Sequence, residues 1–478
     1  MTSPHQNQPR AAAPGQPTIT PTAGALSTDS LETDILSADQ LTATLDQLPV
    51  TRRHARLLGV TGIGWALDAM DIGLISFVMA ALIAHWGITS GQASVLGSIG
   101  FLGMAIGATL GGRLSDRFGR RAIFAGTLLV YGLATGFSAL STTFTVLLVL
   151  RFIVGLGLGA ELPVASTYIS EFAPRAVRGR MVVVLEAFWA VGWILAALIG
   201  TFIVSRSEDG WRWALAIGCL PALYALVVRW GLPESVRFLT RHGDLARARS
   251  VVASLAASPP LRAEAARTPS APPAAEQVPA HLAQASSIWS AALRRRTLAF
   301  WVIWFCINLA YYGAFIWIPS LLIQQGFSLV SSFTFTLIMT LAQLPGYAVS
   351  AWLIERWGRR STLATFLLGS ALAAVAYGLS HEVWALVASG CLLSFFNLGA
   401  WGALYAIGPE LYPGHLRGSG TGAAAGFGRL ASITAPLLVP ALLPLVGVSG
   451  LFVLFALAFC TAAGAAFLLP ETRGRQLT

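Results

Sequence analysis

The sequence contains no lysine, and all 31 of its basic residues are arginine. This absence excludes a Walker A phosphate loop, because the lysine of that motif reaches the nucleotide phosphates. Direct use of ATP by this chain is therefore not expected. Cysteine is also scarce: the four cysteines lie in apolar stretches, at spacings that indicate neither a zinc site nor a disulfide framework. We expect no metal, no cofactor and no disulfide.

Charge of either sign is also low, since 11% of the 478 residues are charged and 55% are hydrophobic. A soluble domain carries about 25% charged residues, so lipid must be the solvent for most of this chain. The formal net charge of +10 could suggest a nucleic-acid partner. The arginines instead cluster in short loops between apolar runs, as expected beside an anionic lipid bilayer. No nucleic-acid partner is expected.

Twelve apolar stretches are long enough to cross a bilayer, which takes about 20 helical residues. They lie near 57–84, 92–112, 122–141, 144–168, 181–204, 211–230, 298–324, 329–352, 361–380, 384–406, 420–446 and 449–469. Arginines crowd the loops on one side, for example Arg113, Arg117 and Arg120, whereas the opposite loops hold few, such as Arg206 and Arg212. The sequence therefore predicts an all-α membrane protein with cytoplasmic N- and C-termini.

The spans predict two six-helix bundles separated by polar segments. The predicted units are a cytoplasmic disordered tail with a short amphipathic helix (1–50), the N-terminal bundle (51–230), a cytoplasmic linker (231–297), the C-terminal bundle (298–470) and a cytoplasmic tail (471–478). The amphipathic helix is predicted from Leu41, Leu45 and Leu48, and we expect it on the membrane surface.

An internal repeat relates the two bundles. The run Asp116-Arg117-x-Gly119-Arg120-Arg121 recurs as Glu355-Arg356-x-Gly358-Arg359-Arg360, at an offset of 355 − 116 = 239 residues. The pattern Glu171-x-x-Pro174-x-x-x-Arg178-Gly179 recurs from Glu410 to Gly418, and 410 − 171 = 239 again. Parallel repeats of this kind place a substrate cavity between two halves that rock to give alternating access.

The loop at 112–121 closely resembles the signature loop of the major facilitator superfamily. Pro233-Glu234-Ser235 and Pro470-Glu471-Thr472 resemble its sugar-porter and organic-ion branches. The stretches 67–73, 159–166, 185–193, 303–313, 339–347 and 393–402 together look like the bacterial niacin permease family NiaP, from about residue 50 onward.

This resemblance implies a secondary transporter that takes up nicotinate, with nicotinamide as a second candidate, across the bacterial cytoplasmic (inner) membrane. It implies a multi-pass protein that is not an enzyme, and we expect a monomer. The open alternatives are another small aromatic acid, a sugar or an organic ion as substrate. From a different class, a transporter-like sensor that binds without carrying remains an alternative.

Charged residues at the helix ends are predicted to form the gate, because ion pairs there can hold one side closed and break when it opens. The predicted gating residues are Asp116, Arg117, Arg120, Glu171, Arg178, Glu355, Arg359, Glu410 and Arg417. Plain anchoring of the loops by their positive charge is the alternative.

Polar and aromatic residues at one depth of the bilayer are predicted to form a substrate pocket. The predicted substrate-binding residues are Arg429, Trp189, Asn308, Tyr311, Tyr312, Gln343, Asn397 and Trp401. Arg429 suits bidentate binding of a carboxylate, and a matching position in related animal organic-ion transporters carries a cation in anion carriers. The alternative for Arg429 is a structural pair with an acid, and for the other residues it is core packing.

Ionisable residues inside spans are costly and are candidates for proton coupling. They are Asp68, Asp71, Arg151, Glu161 and Glu186. Asp68 and Asp71 lie three apart on one helix face, and two close carboxylates in low dielectric disfavour double ionisation. A structural Asp71–Arg151 pair would leave Asp68 as the proton carrier. Glu161 and Glu186 are expected nearer the cytoplasmic end, at the inner gate or the proton exit.

Overall fold

A computed structural model describes residues 38–174, 177–261, 287–413 and 416–471, and within these ranges the chain is helical without a β-strand. The helices are α1 (Ala38–Gln47), α2 (Arg52–Ala81), α3 (Ser90–Phe118), α4 (Arg120–Ser138), α5 (Phe144–Phe172), α6 (Arg178–Phe202), α7 (Gly210–Ile217), α8 (Leu220–Gly231), α9 (Val236–Arg241), α10 (Leu245–Ala256), α11 (Arg294–Phe315), α12 (Ile318–Gln324), α13 (Leu329–Leu341), α14 (Gln343–Trp357), α15 (Arg359–Leu379), α16 (Val383–Ile407) and α17 (Arg417–Ala466).

Eleven helical stretches in the described residues are long and apolar enough to cross a membrane. Two of them, 210–231 and 329–357, are each built from two consecutive helices. The prediction of an all-α membrane protein is therefore confirmed. The last stretch, α17, has 50 residues, with non-helical backbone at Gly447. At about 1.5 Å per residue it far exceeds the roughly 30 Å of a hydrocarbon core.

The predicted run 298–324 is interrupted in the structure. Helix α11 ends at Phe315, and α12 begins at Ile318 with Pro319 in its first turn. Proline lacks a backbone N–H and its ring clashes with the preceding helical turn. It is therefore tolerated in the first turn of a helix, but a helix that precedes it ends before it. The same arrangement, with Pro221 in the first turn of α8, separates α7 from α8.

Close packing between spans depends on glycine. A Cβ on Gly103 or Gly107 of α3 would lie 2.4 or 2.1 Å from a backbone oxygen of α5, and one on Gly155 of α5 would lie 2.1 Å from α3. Small residues let helix backbones approach in lipid, where no hydrophobic effect drives helices together. The outward faces carry exposed apolar side chains such as Trp230 and Leu445.

Helices α3 and α14 end with Arg117 and Arg356 in their last turns, and we call this end of the bundle the arginine-rich end. Helix α1 packs there against α9 and α10, with Leu41 and Leu45 fully buried. The expectation that this helix lies on the membrane surface is wrong, because its apolar face is covered by protein. Residues 1–37, 262–286 and 472–478, parts of the predicted tails and linker, lie outside the described residues.

Backbone hydrogen bonds also attach the segment between α1 and α2 to the residues after α10. Arg52 N–H donates to the carbonyl oxygen of Pro259 (3.1 Å), and Leu261 N–H donates to that of Val50 (2.8 Å). The segment from α1 to the start of α2 is therefore fastened to the segment that follows α10. Within the predicted 1–50 tail, the structure has a helix at Ala38–Gln47, where the sequence predicted the short amphipathic helix.

The two halves touch at the end opposite the arginine-rich end. Phe77 of α2 packs edge-on against Phe333 of α13 (ring centroids 4.9 Å apart), and Thr201 Oγ1 donates to the Phe333 carbonyl oxygen (3.1 Å). A Cβ on Gly97 of α3 would lie 3.4 Å from Cβ of Pro436 in α17. These contacts close the bundle at that end.

The same two helices separate towards the arginine-rich end. Gly112 of α3 and Gly422 of α17 lie about four turns from Gly97 and Pro436, on similar helix faces. A Cβ on either Gly112 or Gly422 would have no atom within 4 Å. Helices α3 and α17 are therefore in contact at one end and splayed at the other.

Candidate functional site

A cavity lies between the two halves, with residues from six helices in its wall. It is lined by Trp65, Glu186, Trp189, Trp304, Asn308, Tyr311, Tyr312, Tyr347, Trp401, Tyr405 and Arg429. The structure thus brings together six of the eight residues predicted for substrate binding. The other two, Gln343 and Asn397, are fully buried outside this lining.

Aromatic side chains dominate the wall and hold one another in place. Trp189 Nε1 donates a hydrogen bond to Tyr311 Oη (3.1 Å) across the interface between the halves. The Trp189 ring also lies 5.5 Å from that of Trp65, centroid to centroid. In the second half the rings of Trp401 and Tyr405 stack at 5.7 Å. Rings fixed in this way present flat apolar faces to a ligand.

Charged side chains from both halves line the cavity. Arg429 of α17 in the second half and Glu186 of α6 in the first half both line the cavity, together with Tyr312 of α11. Glu186, which the sequence analysis predicted for proton coupling at the inner gate or the proton exit, lines the cavity itself. The guanidinium predicted to bind substrate thus faces a carboxylate of the other half.

Asn308 uses its amide to join two helices. Its Nδ2 donates to the Trp304 carbonyl oxygen (2.7 Å), and its Oδ1 accepts a bond from Ser432 Oγ (2.8 Å). The first bond lies within α11, and the second joins α11 to α17 on the helix that carries Arg429. Gln343 and Asn397 differ, because within the described part of the chain their amide atoms have no hydrogen-bond partner.

Asp71 forms a buried ion pair with Arg151. The Arg151 Nη1 lies 2.6 Å from Asp71 Oδ2, and Thr135 Oγ1 donates to Asp71 Oδ1 (2.6 Å). Both ionic side chains are more than nine-tenths buried. The pair anticipated from helix depth is therefore present, and it crosses from α2 to α5.

Asp68 lies apart from that pair. Its carboxyl group lies near that of Glu161 on α5 and near the hydroxyl of Tyr131 on α4, and all three side chains are buried. Among the described residues none of these oxygen atoms has a hydrogen-bond partner in this structure. The sequence predicted Asp71 as the main acidic neighbour of Asp68. In the structure the main acidic neighbour of Asp68 is Glu161, because the charge of Asp71 is balanced by Arg151.

Four of the residues predicted for gating form ion pairs around Arg120 and Arg359 in matching positions of the two halves. Arg120 contacts Asp116 (2.7 Å) one turn before it and Glu171 (3.3 Å) at the end of α5. In the second half Arg359 contacts Glu355 (3.9 Å) and Glu410 (3.2 Å). Each of these ion pairs joins elements of one half, and Asp116 is 66% exposed.

Glutamates from the two Pro-Glu motifs complete this arrangement. Glu234 Oε1 accepts bonds from the backbone N–H groups of Arg120 (2.9 Å) and Arg121 (3.2 Å), at the start of α4. Glu471 likewise accepts from Arg359 N–H (2.9 Å). A carboxylate at a helix N-terminus satisfies unpaired donors and the helix dipole. Gly119 has φ 98°, and a Cβ there would lie 2.5 Å from Glu234.

The remaining gating residues have different surroundings. Arg178 forms an ion pair with Asp46 of α1 (2.5 Å), so its partner lies in the N-terminal helix. The Glu171 carboxylate accepts a short hydrogen bond from Ser235. The Arg117 guanidinium lies 5.4 Å from the centroid of the Phe118 ring. Arg417 begins α17 at the arginine-rich end.

Residues 59–478 match the protein family described as "Sugar (and other) transporter". The chain belongs to this family. It is a multi-pass membrane transporter of the major facilitator type, so the predicted family and fold type are confirmed. The members it resembles are transporters, which agrees with the expectation that the chain is not an enzyme.

Individual relatives cover almost the whole transporter. This chain is 44% identical over 442 residues to the niacin transporter NiaP of Acinetobacter baylyi. The aligned region covers 91% of this chain and 98% of that protein. The chain is 41% identical over 433 residues to a putative niacin/nicotinamide transporter NiaP of Bacillus subtilis, covering 90% and 99%. Among solved structures, the xylose transporter XylE from E. coli, in a partially occluded inward-open conformation, superposes with a TM-score of 0.69. At 20% identity, over 89% of this chain and 99% of that one, this match supports the fold.

Sequence reasoning missed four aromatic residues of the transporter cavity: Trp65, Trp304, Tyr347 and Tyr405. Helical spacing could have found all four. Trp304 lies four residues before Asn308 and Tyr405 lies four after Trp401, while Tyr347 lies four after Gln343 and Trp65 lies three before Asp68. Each therefore shares a helix face with a predicted residue.

Proposed function

We propose that this transporter takes up nicotinate by alternating access. The main support for this substrate is the cavity between the halves, where the Arg429 guanidinium lies among aromatic rings. Nicotinate is a flat ring that bears one carboxylate. A guanidinium binds a carboxylate with two parallel hydrogen bonds, and each ring contact adds about 0.5–1.5 kcal/mol beyond burial. The names of two relatives, a niacin transporter and a putative niacin/nicotinamide transporter, support the same substrate class.

The proposed topology has twelve spans in two halves. Gly447 divides α17 into two helical parts, 417–446 and 448–466, and each is long enough for one crossing. The proposed units are the bundles 51–230 and 298–470, the linker 231–297 and the tails 1–50 and 471–478. We place the arginine-rich end and both termini in the cytoplasm of a bacterium, with the protein monomeric in its inner membrane.

With this orientation the structure corresponds to an inward-open state. The halves meet at the periplasmic end, through Phe77 and Phe333 and through Gly97 and Pro436. Helices α3 and α17 are splayed at the cytoplasmic end, where Arg429 and Tyr405 are half-buried. The gating ion pairs would close the cytoplasmic end in the other state of the cycle.

Proton coupling completes the proposal and has an electrical reason. Moving an anion into a negative-inside cell costs about 2.3 kcal/mol per 100 mV, and one accompanying proton removes this cost. Asp68 is the proposed carrier, because it lies buried beside Glu161 and away from the Arg151 guanidinium. Two buried carboxyl groups without a cation between them are stable when they share a proton.

The decisive experiment replaces the proposed carboxylate anchor. Arg429→Ala should lose nicotinate binding, because no other guanidinium lines the described cavity. Binding to purified protein is measured by calorimetry, with Arg206→Ala, an exposed arginine at the opposite end, as the matched control. An Arg429→Ala protein that folds and binds nicotinate with unchanged affinity would refute the assignment.

A further inference from the structure

One face of α13 and α14 joins the closed end of the bundle to the cavity. At the closed end Phe333 meets the first half, where its ring packs against Phe77 and its carbonyl oxygen accepts a hydrogen bond from Thr201 (3.1 Å). Tyr347, which lies 347 − 333 = 14 residues later, lines the cavity. The two positions are about 21 Å apart along the helices. Ala342, between α13 and α14, has helical backbone angles, so the helical spacing continues across the junction.

Polar side chains occupy this face between Phe333 and the cavity. Thr336, Thr340 and Gln343 follow Phe333 at helical spacing, so they lie on the same side of the helix. All three are at most 4% exposed. Each threonine donates its hydroxyl to a carbonyl oxygen one turn earlier, Thr336 to Ser332 (2.8 Å) and Thr340 to Thr336 (2.7 Å). A hydroxyl bonded in this way is satisfied in a dry interface and can still accept a bond from water.

The Gln343 amide is different, because among the described residues neither of its polar atoms has a hydrogen-bond partner, although the side chain is fully buried. The same holds on α16 for the amide of Asn397 and the hydroxyl of Ser394. Gln343 and Asn397 each lie four residues before a cavity residue, Tyr347 and Trp401 respectively. Since α14 and α16 both run towards the arginine-rich end, both amides lie one turn beyond the cavity, towards the closed end.

A buried amide without a partner is unfavourable, which indicates that it is bonded in another state of the protein. Alternating access supplies such a state, because it requires the closed end to open. Helix α6 of the first half packs against both α13 and α14, so separation of the halves at that end uncovers the face they share. Water and solutes would then reach Thr336, Thr340 and Gln343.

We infer that this face is the wall of the path by which the substrate reaches the cavity from the closed end, and that the Gln343 and Asn397 amides hydrogen-bond the substrate carboxylate there. Each amide offers two N–H donors, and hydrogen bonds to a charged acceptor are stronger than those between neutral groups. The anion would thus meet neutral donors one turn before it reaches the cavity that contains Arg429. This inference rests on the proposed function, because it needs alternating access and a carboxylate substrate.

The first test asks from which side of the membrane this face is reached. Thr336→Cys and Thr340→Cys, each with the four native cysteines replaced, are treated with a membrane-impermeant maleimide in right-side-out and inside-out membrane vesicles. Both should be labelled from one side only, the side opposite to the one that labels Gly422→Cys. Ser370→Cys should be labelled from neither side, because Ser370 is a fully buried hydroxyl residue of α15 that also bonds to a carbonyl oxygen one turn earlier.

The second test asks whether the amides bind the substrate. Nicotinate should protect Thr340→Cys from the maleimide. Adding Gln343→Met or Asn397→Leu should raise the half-protecting concentration by about tenfold or more, because each change removes donors to a charged group. Gln325→Met, at an exposed position, should leave that concentration unchanged. If one of the two amide variants does not fold, the other one decides.

The outcomes separate this inference from the proposed function. A protein that takes up nicotinate while both cysteines stay unlabelled, or are labelled from the Gly422 side, overturns the path and leaves the proposed function standing. Half-protecting concentrations that are unchanged in the amide variants overturn the role of the amides. If both cysteines are labelled from the expected side but nicotinate neither protects them nor is taken up, the proposed substrate is wrong and the path is retained.

Discussion

At the scale of single residues, three carboxyl groups of the first half differ because their neighbours differ. Asp71 has Arg151 at 2.6 Å and a hydroxyl group on its second oxygen. Asp68 has another carboxyl group, that of Glu161. Glu186 lines the cavity, whose wall also contains the Arg429 guanidinium. These neighbours suggest a structural, a proton-carrying and a substrate-linked role, respectively.

The Asp71–Arg151 pair gives a prediction about stability. Asp71→Asn leaves the Arg151 guanidinium buried without a counter-charge, which costs about 3–5 kcal/mol in a buried pair. We expect a clear fall in the melting temperature of the purified protein. Adding Arg151→Met should recover part of the loss, because both charges are then absent. Equal melting of Asp71→Asn and the wild type would show that the pair is not structural.

Asp68 gives a prediction about coupling. Uptake by the wild type should be faster at acidic external pH and should collapse with a protonophore, since the proton balances the charge of the anion. Asp68→Asn removes the titrating group, so it should abolish accumulation driven by a pH gradient and retain substrate exchange at equilibrium. Proteoliposomes with an imposed gradient provide the measurement, and Asp209→Asn is the exposed control. Accumulation by Asp68→Asn would move the proton to Glu161 or Glu186.

At the scale of elements, the two halves have the same arrangement of residues at the arginine-rich end. In each half a helix begins after a positive-φ glycine, Gly119 or Gly358, and a distant glutamate, Glu234 or Glu471, accepts hydrogen bonds from its first N–H groups. This fixes the start of α4 and of α15 against the end of its own half. The ends of each half should therefore move as rigid units when the gate opens or closes.

The gate gives a prediction at this scale. Asp116 is largely exposed when α3 and α17 are splayed, so its carboxylate is available to bind the second half when they close. Asp116→Asn should favour the state open at the arginine-rich end. A cysteine at Gly422, in a background with the four native cysteines replaced, should be labelled faster in that variant. The same labelling rate in the wild type, the variant and a Glu382→Gln control would leave the loop as an anchor.

At the scale of the whole molecule, transport requires the contacts between the halves to break. At the closed end a Cβ on Gly97 of α3 would lie 3.4 Å from the Cβ of Pro436 in α17. Disulfides need Cβ atoms about 3.5–4.5 Å apart, so cysteines at both positions should cross-link without moving the helices far. Gly97→Cys with Pro436→Cys, in the same cysteine-free background, should lose uptake on oxidation and regain it on reduction. Each single variant is the control, and uptake that survives complete cross-linking would contradict a rocking motion at this contact.

Much of this protein is determined by sequence alone. Apolar length fixes the spans, because a helix in lipid must satisfy its backbone within itself. The 239-residue offset fixes the two related halves, and the motif residues fix the family. Helix depth predicted that Arg429, Trp189 and Asn308 lie together, and all three line the cavity, because residues at equal depth on inward faces converge.

Tertiary structure decided what depth cannot determine, which is the rotation of each helix and the identity of its neighbour. It placed Glu186 opposite Arg429 and left Gln343 and Asn397 outside the cavity lining. It paired Arg178 with Asp46, which lies 178 − 46 = 132 residues earlier in the chain. The physical reason is that charge interactions and hydrogen bonds act over a few ångströms, so their partners depend on which helix faces meet.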